Sequence, residues 1–453
     1  MPLAHCGWMP SSTIRASVGV VAAVLAMSCG SAARLPLAAG TGVQPVLPPP
    51  NRSLIPVINV ATAKGWAQGA TPTAADGMSV AAFASGLDHP RWLYVLPNGD
   101  VLVAETNGPP RPQNNKGIRG WFFKRFQKKA GGAVPSANQI TLLRDRNGDG
   151  IVETRSIFLK GLHSPFGMVL VGNVIYVANT DALVSFPYEQ DQTEIKAAAT
   201  KIIDLPAGPL NHHWTKNVVA SRDGTKLYVA IGSNSDAGEN GIEVETERAA
   251  IWEVDPFARS HRVFASGLRN PVGMSFEPES GSLWTSVNER DELGSDLVPD
   301  YMTAVRDGAF YGWPYSYYGQ NVDPRVKPPR PDLVATAVAP DYALGAHTAS
   351  LGLAFSQGST LPARFRSGVF VGQHGSWNRK PRSGYKVIFV AFVAGRPVGA
   401  PIDVLTGFLD SRGGAMGRPV GVVMDKSGGL LVADDVGNAI WRVTSTVVAA
   451  IGR

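Results

Sequence analysis

Thiols are nearly absent from this 453-residue chain: its two cysteines, Cys6 and Cys29, both fall in the first thirty residues. The body therefore contains no disulfide and no thiolate metal site. Charge is sparse as well, at 17% against 44% hydrophobic residues, which excludes bulk disorder and leaves material for a large core. A formal net charge of +6 is too weak at this length to argue for nucleic acid, and suits an anionic small ligand or an acidic surface. The apolar run Ala16–Met27 is too short to cross a membrane. What the chain has in abundance is Gly, 50 residues, and Pro, 34, the punctuation of a turn-rich β architecture.

Arg15 precedes that apolar run and the small residues Ser28-Cys29-Gly30 close it, so residues 1–29 read as an export signal. Ala26-Met27-Ser28-Cys29 resembles a bacterial lipoprotein cleavage site. Two outcomes stay open: a lipid anchor at Cys29, the one expected membrane contact, or cleavage and release. Either way the expected location is periplasmic or extracellular. Residues 30–77, rich in Pro, Ala and Gly and including Pro48-Pro49-Pro50, read as a tether with little structure of its own.

Residues 78–449 carry a recurring pattern of a Gly-Leu turn, a polar or Pro-containing step, an apolar run, a Gly- or Asp-centred turn and a strand ending in Val-Ala or similar. Copies start at Gly86-Leu87, Gly161-Leu162, Asn211-His212, Gly267-Leu268, Ala346-His347 and Gly417-Arg418. Six copies spaced by roughly 45 to 80 residues predict an all-β fold, a six-bladed β-propeller. In such a fold the loops leading into the innermost strands gather on one face. The pattern therefore brings Arg91, His163, His213, Arg269, Asn270, His347 and Arg418 to one cavity.

Arg91, Arg269 and Arg418 at one mouth ask for a multiply anionic ligand, because a guanidinium holds carboxylates bidentately and keeps its charge when desolvated. His213 is placed to act as a base there, with a structural histidine as the alternative. For His212, substrate orientation and simple support stand equal. The carboxylate-rich stretch from Val287 to Tyr301 either binds a hard cation or pairs with neighbouring arginines. Asp145, Asn147, Asp149 and Glu153 match the first half of an EF-hand loop, but the twelfth position is Ser156 where Glu is expected, so this is a turn or a second calcium site. The insertion from Gly117 to Lys129 mixes aromatics with five Lys or Arg. It reads as a capping helix, a membrane-surface segment or a dock for an acidic electron acceptor.

Between about residues 80 and 445 the chain resembles the pyrroloquinoline quinone (PQQ)-dependent sugar dehydrogenases, the sorbosone dehydrogenase branch above all, with the fungal pyranose dehydrogenases more distant. The motifs that carry this are Arg269-Asn270-Pro271-x-Gly273, Asn288-Glu289-Arg290-Asp291-Glu292, Phe310-Tyr311-Gly312-Trp313-Pro314, His374-Gly375-Ser376-Trp377-Asn378-Arg379 and Gly417-Arg418-Pro419-Val420-Gly421. The resemblance implies PQQ and Ca2+ as cofactors and a sugar or sugar-derived aldehyde as substrate, with an unidentified electron acceptor. It makes His213 the general base, Arg269 the arginine over the reactive quinone oxygens, and Asn270, Arg418, Arg91, His374, Trp377 and Asn378 further cofactor contacts. His212 and His163 fall on the substrate side, and the backbone carbonyls of Glu289 and Arg290 on the calcium. Departures exist: Met416 stands where glucose-oxidising members have another arginine, and His212 where they have Asp, so substrate orientation is expected to differ. The competing readings are a calcium-dependent lactonase, which would hold metal by channel side chains without an arginine ring, and a non-catalytic saccharide-binding propeller.

Overall fold

Short strands of β-branched and aromatic residues hide both faces only by packing sheet against sheet, and a closed ring of sheets leaves no exposed flat face. The computed structural model, which describes residues 32–52, 57–110 and 125–446, is that ring. The export-signal segment and residues 111–124, most of the aromatic-basic insertion, lie outside the described residues; residues 125–130 are helical. No helix among the described residues is long and apolar enough to cross a membrane.

Six blades follow one another, each led by an innermost strand: Pro90–Val95, Met168–Val171, Val218–Ala220, Pro271–Phe276, Ser350–Phe355 and Pro419–Met424. Each expected copy of the repeat begins in the loop before one of these strands and ends on the second strand of the same blade. The sixth blade closes the ring by borrowing its outer strand, Met78–Ser85, from the N-terminal side, paired antiparallel with Ala439–Ser445. The fourth and fifth blades gain short outer strands, Thr41–Gly42 and Thr73–Ala74, from the same side.

The core is distributed over the seams between blades. Trp92, Leu142, Phe158 and Phe166 fill the first seam; Trp284, Tyr342, Phe355 and Phe392 fill the one between the fourth and fifth blades. Near the axis the innermost strands approach closely, which explains the Gly two residues after Pro in the Arg-Asn-Pro and Arg-Pro-Val steps. A Cβ at Gly273 would meet Leu353 N at 2.7 Å, and one at Gly421 would meet Arg91 O at 2.7 Å. The pairing of the innermost strand shifts register just after its first residues in four blades, at Pro90/Trp92, Pro271/Met274, Ser350/Gly352 and Pro419/Val422. Such bulges re-aim the residues beside them.

Because each blade is an antiparallel meander, loops before its first strand and between its second and third strands share one face, the mouth; the remaining loops emerge on the far face. The segment expected as a free tether is different from expectation. It has little regular structure, as its Pro and Gly content dictates, but it is bonded across the mouth face: Arg34 N to Asp296, Asn51 N to Leu293 O, Asn59 N to Trp377 O and Lys64 N to Ala415 O. Val60 and Ala61 are buried. Backbone groups that find partners along a loop rim stay ordered without strands or helices.

Candidate functional site

The residues that come together at the mouth belong to two kinds of loop. Those before the first strands carry His89 with Arg91 just inside the strand, His213, Arg269-Asn270, His347 and Arg418. Those between second and third strands carry Ser233 to Asp236, Asn288 to Asp291, His374 to Asn378, and Asp435.

On the side of the fifth, sixth and first blades the centre is Asp435. Arg91 Nη1 donates to its carboxylate at 2.7 Å, His374 Nε2 lies 2.9 Å away and His89 Nε2 3.5 Å. Burial alone would raise the Asp435 carboxyl, but His374, His89 and Arg91 hold it well below the ordinary range. Burial also pushes His89 down to about 4 and lowers His374, with Asp435 pulling the other way in both. Near neutral pH the imidazoles are thus uncharged, and Arg91 is the cation against Asp435. Arg418 lies over the Tyr385 ring, 5.0 Å from its centroid, and its Nη2 reaches Tyr385 Oη at 3.3 Å and Ala61 O at 3.5 Å. The Nε groups of Arg91 and Arg418 are both buried without a hydrogen-bond partner.

On the side of the third and fourth blades Arg269 is fully engaged. Nη2 donates to Asp236 Oδ1 at 2.8 Å, Nε to Asp236 O at 3.2 Å, and Nη1 to the carbonyls of Asn288 at 3.1 Å and Glu289 at 2.8 Å. Withdrawal from water pushes the Asp236 carboxyl up to about 6, with Arg269 opposing and Asp291 adding to it. Burial would raise Asp291, but His347, at 3.4 Å, Arg269 and Asn378, donating at 2.6 Å, hold it low. Asp300, fully buried, braces this loop by accepting from Glu289 N at 2.9 Å and Ser350 N at 2.8 Å.

On the same side, His213 lies in the loop before the third blade's first strand. Its Nδ1 is 2.8 Å from the Ser233 carbonyl, which can only accept, so Nδ1 carries the proton and the neutral ring presents Nε2 as the basic nitrogen. Ser233 Oγ, 2.9 Å from Nδ1, donates its own proton to Ser235 O at 2.7 Å, which fixes the same tautomer. Ser235 Oγ in turn donates to the buried Glu245. Gly232 leaves room for the base and Asn270 to meet: a Cβ there would stand 2.6 Å from Asn270 Oδ1, which is itself buried without a partner. Beneath the base loop lies a fully buried amine, Lys216, whose Nζ reaches the His213 and Trp214 carbonyls at 3.4 Å; burial, then Arg248, pushes it down to about 7.

The structure thus brings together Arg91, His213, Arg269, Asn270, His374, Asn378 and Arg418. Trp377 is at the same rim but 43% exposed. His212 stands beside the charge of Glu239. His163 is on the mouth face in an exposed pair with Asp181 at 2.8 Å, outside the buried cluster. The side chain of Arg290 is interior, spent on Glu289, Asp323 and the carbonyls of Pro314 and Ser316. Of the two carbonyls expected on calcium, that of Glu289 accepts from Arg269 Nη1 at 2.8 Å, with the Asn288 carbonyl beside it at 3.1 Å. The acidic stretch around them pairs internally: Asp296 with Arg34 and Arg379, Asp291 with His347 and Asn378. Asp145, Asp149 and Glu153, the one group of three metal-capable side chains among the described residues, lie on the far face.

Asp236, Asp435, Ser233, Tyr385 and Lys216 escaped the sequence reading. The repeat itself contained a signal for most of them. The residues just after each second strand, such as Gly232-Ser233-Asn234, Asn288-Glu289 and Asp434-Asp435, are polar in nearly every copy.

The family model described as TrAA12-like matches residues 72–303 and 333–446. A pyrroloquinoline quinone-dependent pyranose dehydrogenase of Coprinopsis cinerea is 25% identical over 431 residues, covering 82% of this chain and 54% of that protein. An aldose sugar dehydrogenase of Escherichia coli is 24% identical over 40% of this chain and 50% of that protein. The chain therefore spans about half the length of these dehydrogenase relatives. An uncharacterized protein of Borreliella burgdorferi is 26% identical over 65% of this chain and 79% of that protein. Among solved structures, the holo PQQ domain of the Coprinopsis cinerea pyranose dehydrogenase superposes with a TM-score of 0.66 at 21% identity, covering 85% of this chain and all of that one. A calcium structure of a Trichoderma reesei family AA12 enzyme gives 0.67 at 18%, covering 86% of this chain and 99% of that one. At these identities the superpositions establish the propeller fold.

Proposed function

The chain belongs to the TrAA12-like family, and from that premise we propose that it is a quinoprotein oxidoreductase that uses PQQ with calcium to oxidise a sugar or sugar-derived aldehyde, sorbosone-like or aldose. The observation that carries this is the set of stranded polar atoms at the mouth. Arg91 Nε, Arg418 Nε, Asn270 Oδ1 and Asn378 Oδ1 are all buried without partners. Leaving a buried polar group unmade costs about 1–3 kcal/mol, so four at one cavity argue for a ligand that completes them. Two guanidinium donors suit carboxylates, and two amides suit a flat heterocycle with mixed donors and acceptors, which describes PQQ.

The backbone carbonyls of Glu289 and Arg290 would hold the calcium, with that of Glu289 giving up its bond from Arg269 Nη1. Two oxygens from one backbone turn are a donor set that fits a hard cation such as calcium. When bound, PQQ accepts the hydride leaving the substrate carbon, and calcium polarises the accepting carbonyl. The remaining work falls to this chain. His213 Nε2 takes the hydroxyl proton, and Ser233 keeps the imidazole in the tautomer that can do so. Arg91 and Arg418 hold acid groups of the cofactor. Arg269 stabilises negative charge that develops at the quinone edge. The exposed face of Trp377 borders the opening through which a sugar would enter. A lactonase with a side-chain metal site in the channel is less well served, because the mouth carboxylates described above are paired with arginines, histidines, amides and backbone N–H groups.

The test is to prepare the chain from Gly30 onward, add PQQ and calcium, and follow dye reduction with aldoses, pyranoses and sorbosone. Reduction that needs both additions supports the reading and identifies the substrate class. No PQQ binding at high calcium overturns it, and lactone hydrolysis with calcium alone would put the hydrolase in its place.

A further inference from the structure

The segment that composition alone makes a tether crosses the mouth at two of the proposed cofactor contacts. Asn59 brackets Asn378 from both sides. Its backbone N–H donates to Trp377 O at 2.7 Å, and its Nδ2 donates to Arg379 O at 2.8 Å. The loop grips back: Arg382 Nε donates to Asn59 O at 2.8 Å and Nη2 to Val60 O at 3.2 Å. Between these bonds the Asn378 amide is left with a buried, unpartnered Oδ1.

Seven residues on, the Trp66 indole donates to Asp434 Oδ2 at 2.7 Å and packs edge-on against Phe408 and Trp441. The other oxygen of Asp434 accepts from the backbone N–H of Arg418 at 2.7 Å, and the Ala61 carbonyl lies beside that arginine's Nη2. The propeller is shaped to this arrangement. A Cβ at Gly417 would stand 2.7 Å from Trp66 Nε1, and one at Gly437 2.6 Å from the same atom. The glycine of the Gly-Arg-Pro step therefore makes room for the Asp434 carboxylate and for the indole that donates to it. The segment's own residues, Asn59 to Trp66, lie N-terminal to residue 72, where the family match begins.

We propose that residues 57–66 form a fixed wall of the cofactor site, in which Asn59 and Trp66 are positioning residues that hold Asn378 and Arg418 ready for the ligand. The inference rests on the PQQ reading for the identity of that ligand, though not for the existence of the wall. Asn59 acts through the Trp377–Arg379 backbone, and Trp66 through Asp434 and the Arg418 backbone.

Two substitutions in the otherwise complete chain test it: Asn59→Ala, which removes the Nδ2 donor, and Trp66→Phe, which removes the indole N–H and keeps an aromatic ring against Phe408 and Trp441. Each is compared with the unsubstituted chain by titration with PQQ at saturating calcium, by thermal melting without cofactor, and by backbone hydrogen exchange across residues 374–385 and 415–421. The expected result is PQQ affinity weakened by about 5- to 10-fold, the worth of one hydrogen bond. Exchange should be faster in the loop each residue touches, with melting shifted by only a few degrees. Unchanged affinity together with unchanged exchange overturns the wall, as does an affinity loss that merely follows global unfolding. If the unsubstituted chain binds no PQQ, the dehydrogenase reading falls by itself. Exchange then decides alone: release of residues 374–385 in Asn59→Ala supports the wall, and no release rejects it.

Discussion

The two sides of the mouth meet a ligand in opposite conditions. Around Asp435, the guanidinium groups of Arg91 and Arg418 each leave a buried Nε unpartnered, and the contacts of Arg418 are long, at 3.3 and 3.5 Å. Around Asp236, Arg269 spends its guanidinium on one carboxylate and three carbonyls. Two arginines from the same repeated step thus differ in what they have left to give. The first side is built to gain a partner; the second is already neutralised, so a ligand arriving there must exchange one internal contact for another. Affinity should therefore be concentrated on the Asp435 side, and charge control during reaction on the Asp236 side.

The largest effect is expected at the base, on the third blade. His213→Ala should reduce turnover by about 10²–10⁴-fold while PQQ binding persists, measured by dye reduction alongside cofactor titration. A parallel loss of both would mean that His213 holds the ligand instead of working on the substrate.

Next comes a crossover between the arginines. Arg269→Met leaves Asp236 with Arg325 alone, at 3.3 Å, and strips two carbonyls of their donor; it should lower cofactor-free stability by on the order of 3 kcal/mol, the low end for breaking a buried pair because Arg325 stays and the Asp236 side chain is 23% exposed. Arg418→Met strands no carboxylate and should cost far less stability. For PQQ affinity the order reverses, with Arg418→Met losing about 10- to 100-fold through its charge-assisted bonds and Arg269→Met less. Denaturant melts and titrations of the same two proteins check both halves, and matching effects in both assays would erase the distinction between the sides.

Legibility in the sequence follows the same divide. The blades and the loops before their first strands were readable because each copy repeats its own local chemistry, Gly-Leu, then Arg or His, then Pro; six copies let a weak signal add up. That is why Arg91, His213, Arg269 and Arg418 could be named, and why they converge. Asp236, Asp435 and Tyr385 come from loops of unequal length after the second strands, where polar residues recur but nothing local says which of them turns to the axis. Their roles depend on partners more than 30 residues away, as with Asp435 and Arg91 at a separation of 344. The Pro- and Gly-rich segment misled for a different reason. Composition reports what a stretch does alone, and residues 57–66 are ordered by groups on the fifth and sixth blades. His163 shows the converse error, a residue in the right repeat position whose side chain is taken by a neighbour, Asp181.

A smaller effect separates the sides by pH. His89 is pushed below the ordinary 6.5 to about 4 by burial. Between those two values the unfolded chain binds a proton that the folded chain refuses, so stability contributed here is lost as pH falls through that window. His89→Asn should flatten the fall in melting temperature between pH 6.5 and pH 4. Asn tolerates the positive φ of 53° at this position and keeps the backbone bond to Asn438. Asp236 runs the other way: with its carboxyl raised to about 6, its contribution is present below the unfolded value of 3.8 and is lost as pH rises toward 6. Asp236→Asn should therefore remove a loss of stability on going up in pH, where His89→Asn removes one on going down.

The smallest expected effect lies on the far face and tests whether mouth and far face are independent. The EF-hand-like turn uses its oxygens on its own backbone: Asp145 accepts from Gly148 N at 2.8 Å and Gly150 N at 2.7 Å, Asp149 from Ile151 N at 2.8 Å, and Glu153 from Arg146 N at 2.7 Å. Those bonds are what a tight turn between outer strands needs, and they are exposed to water, where each contributes little. Asp149→Ala should cost less than about 1 kcal/mol of stability. It should leave the calcium concentration needed for dye reduction where it was. A shift in that calcium requirement would make the far face part of the reaction, and would mean that the carbonyls of Glu289 and Arg290 do not account for the metal alone.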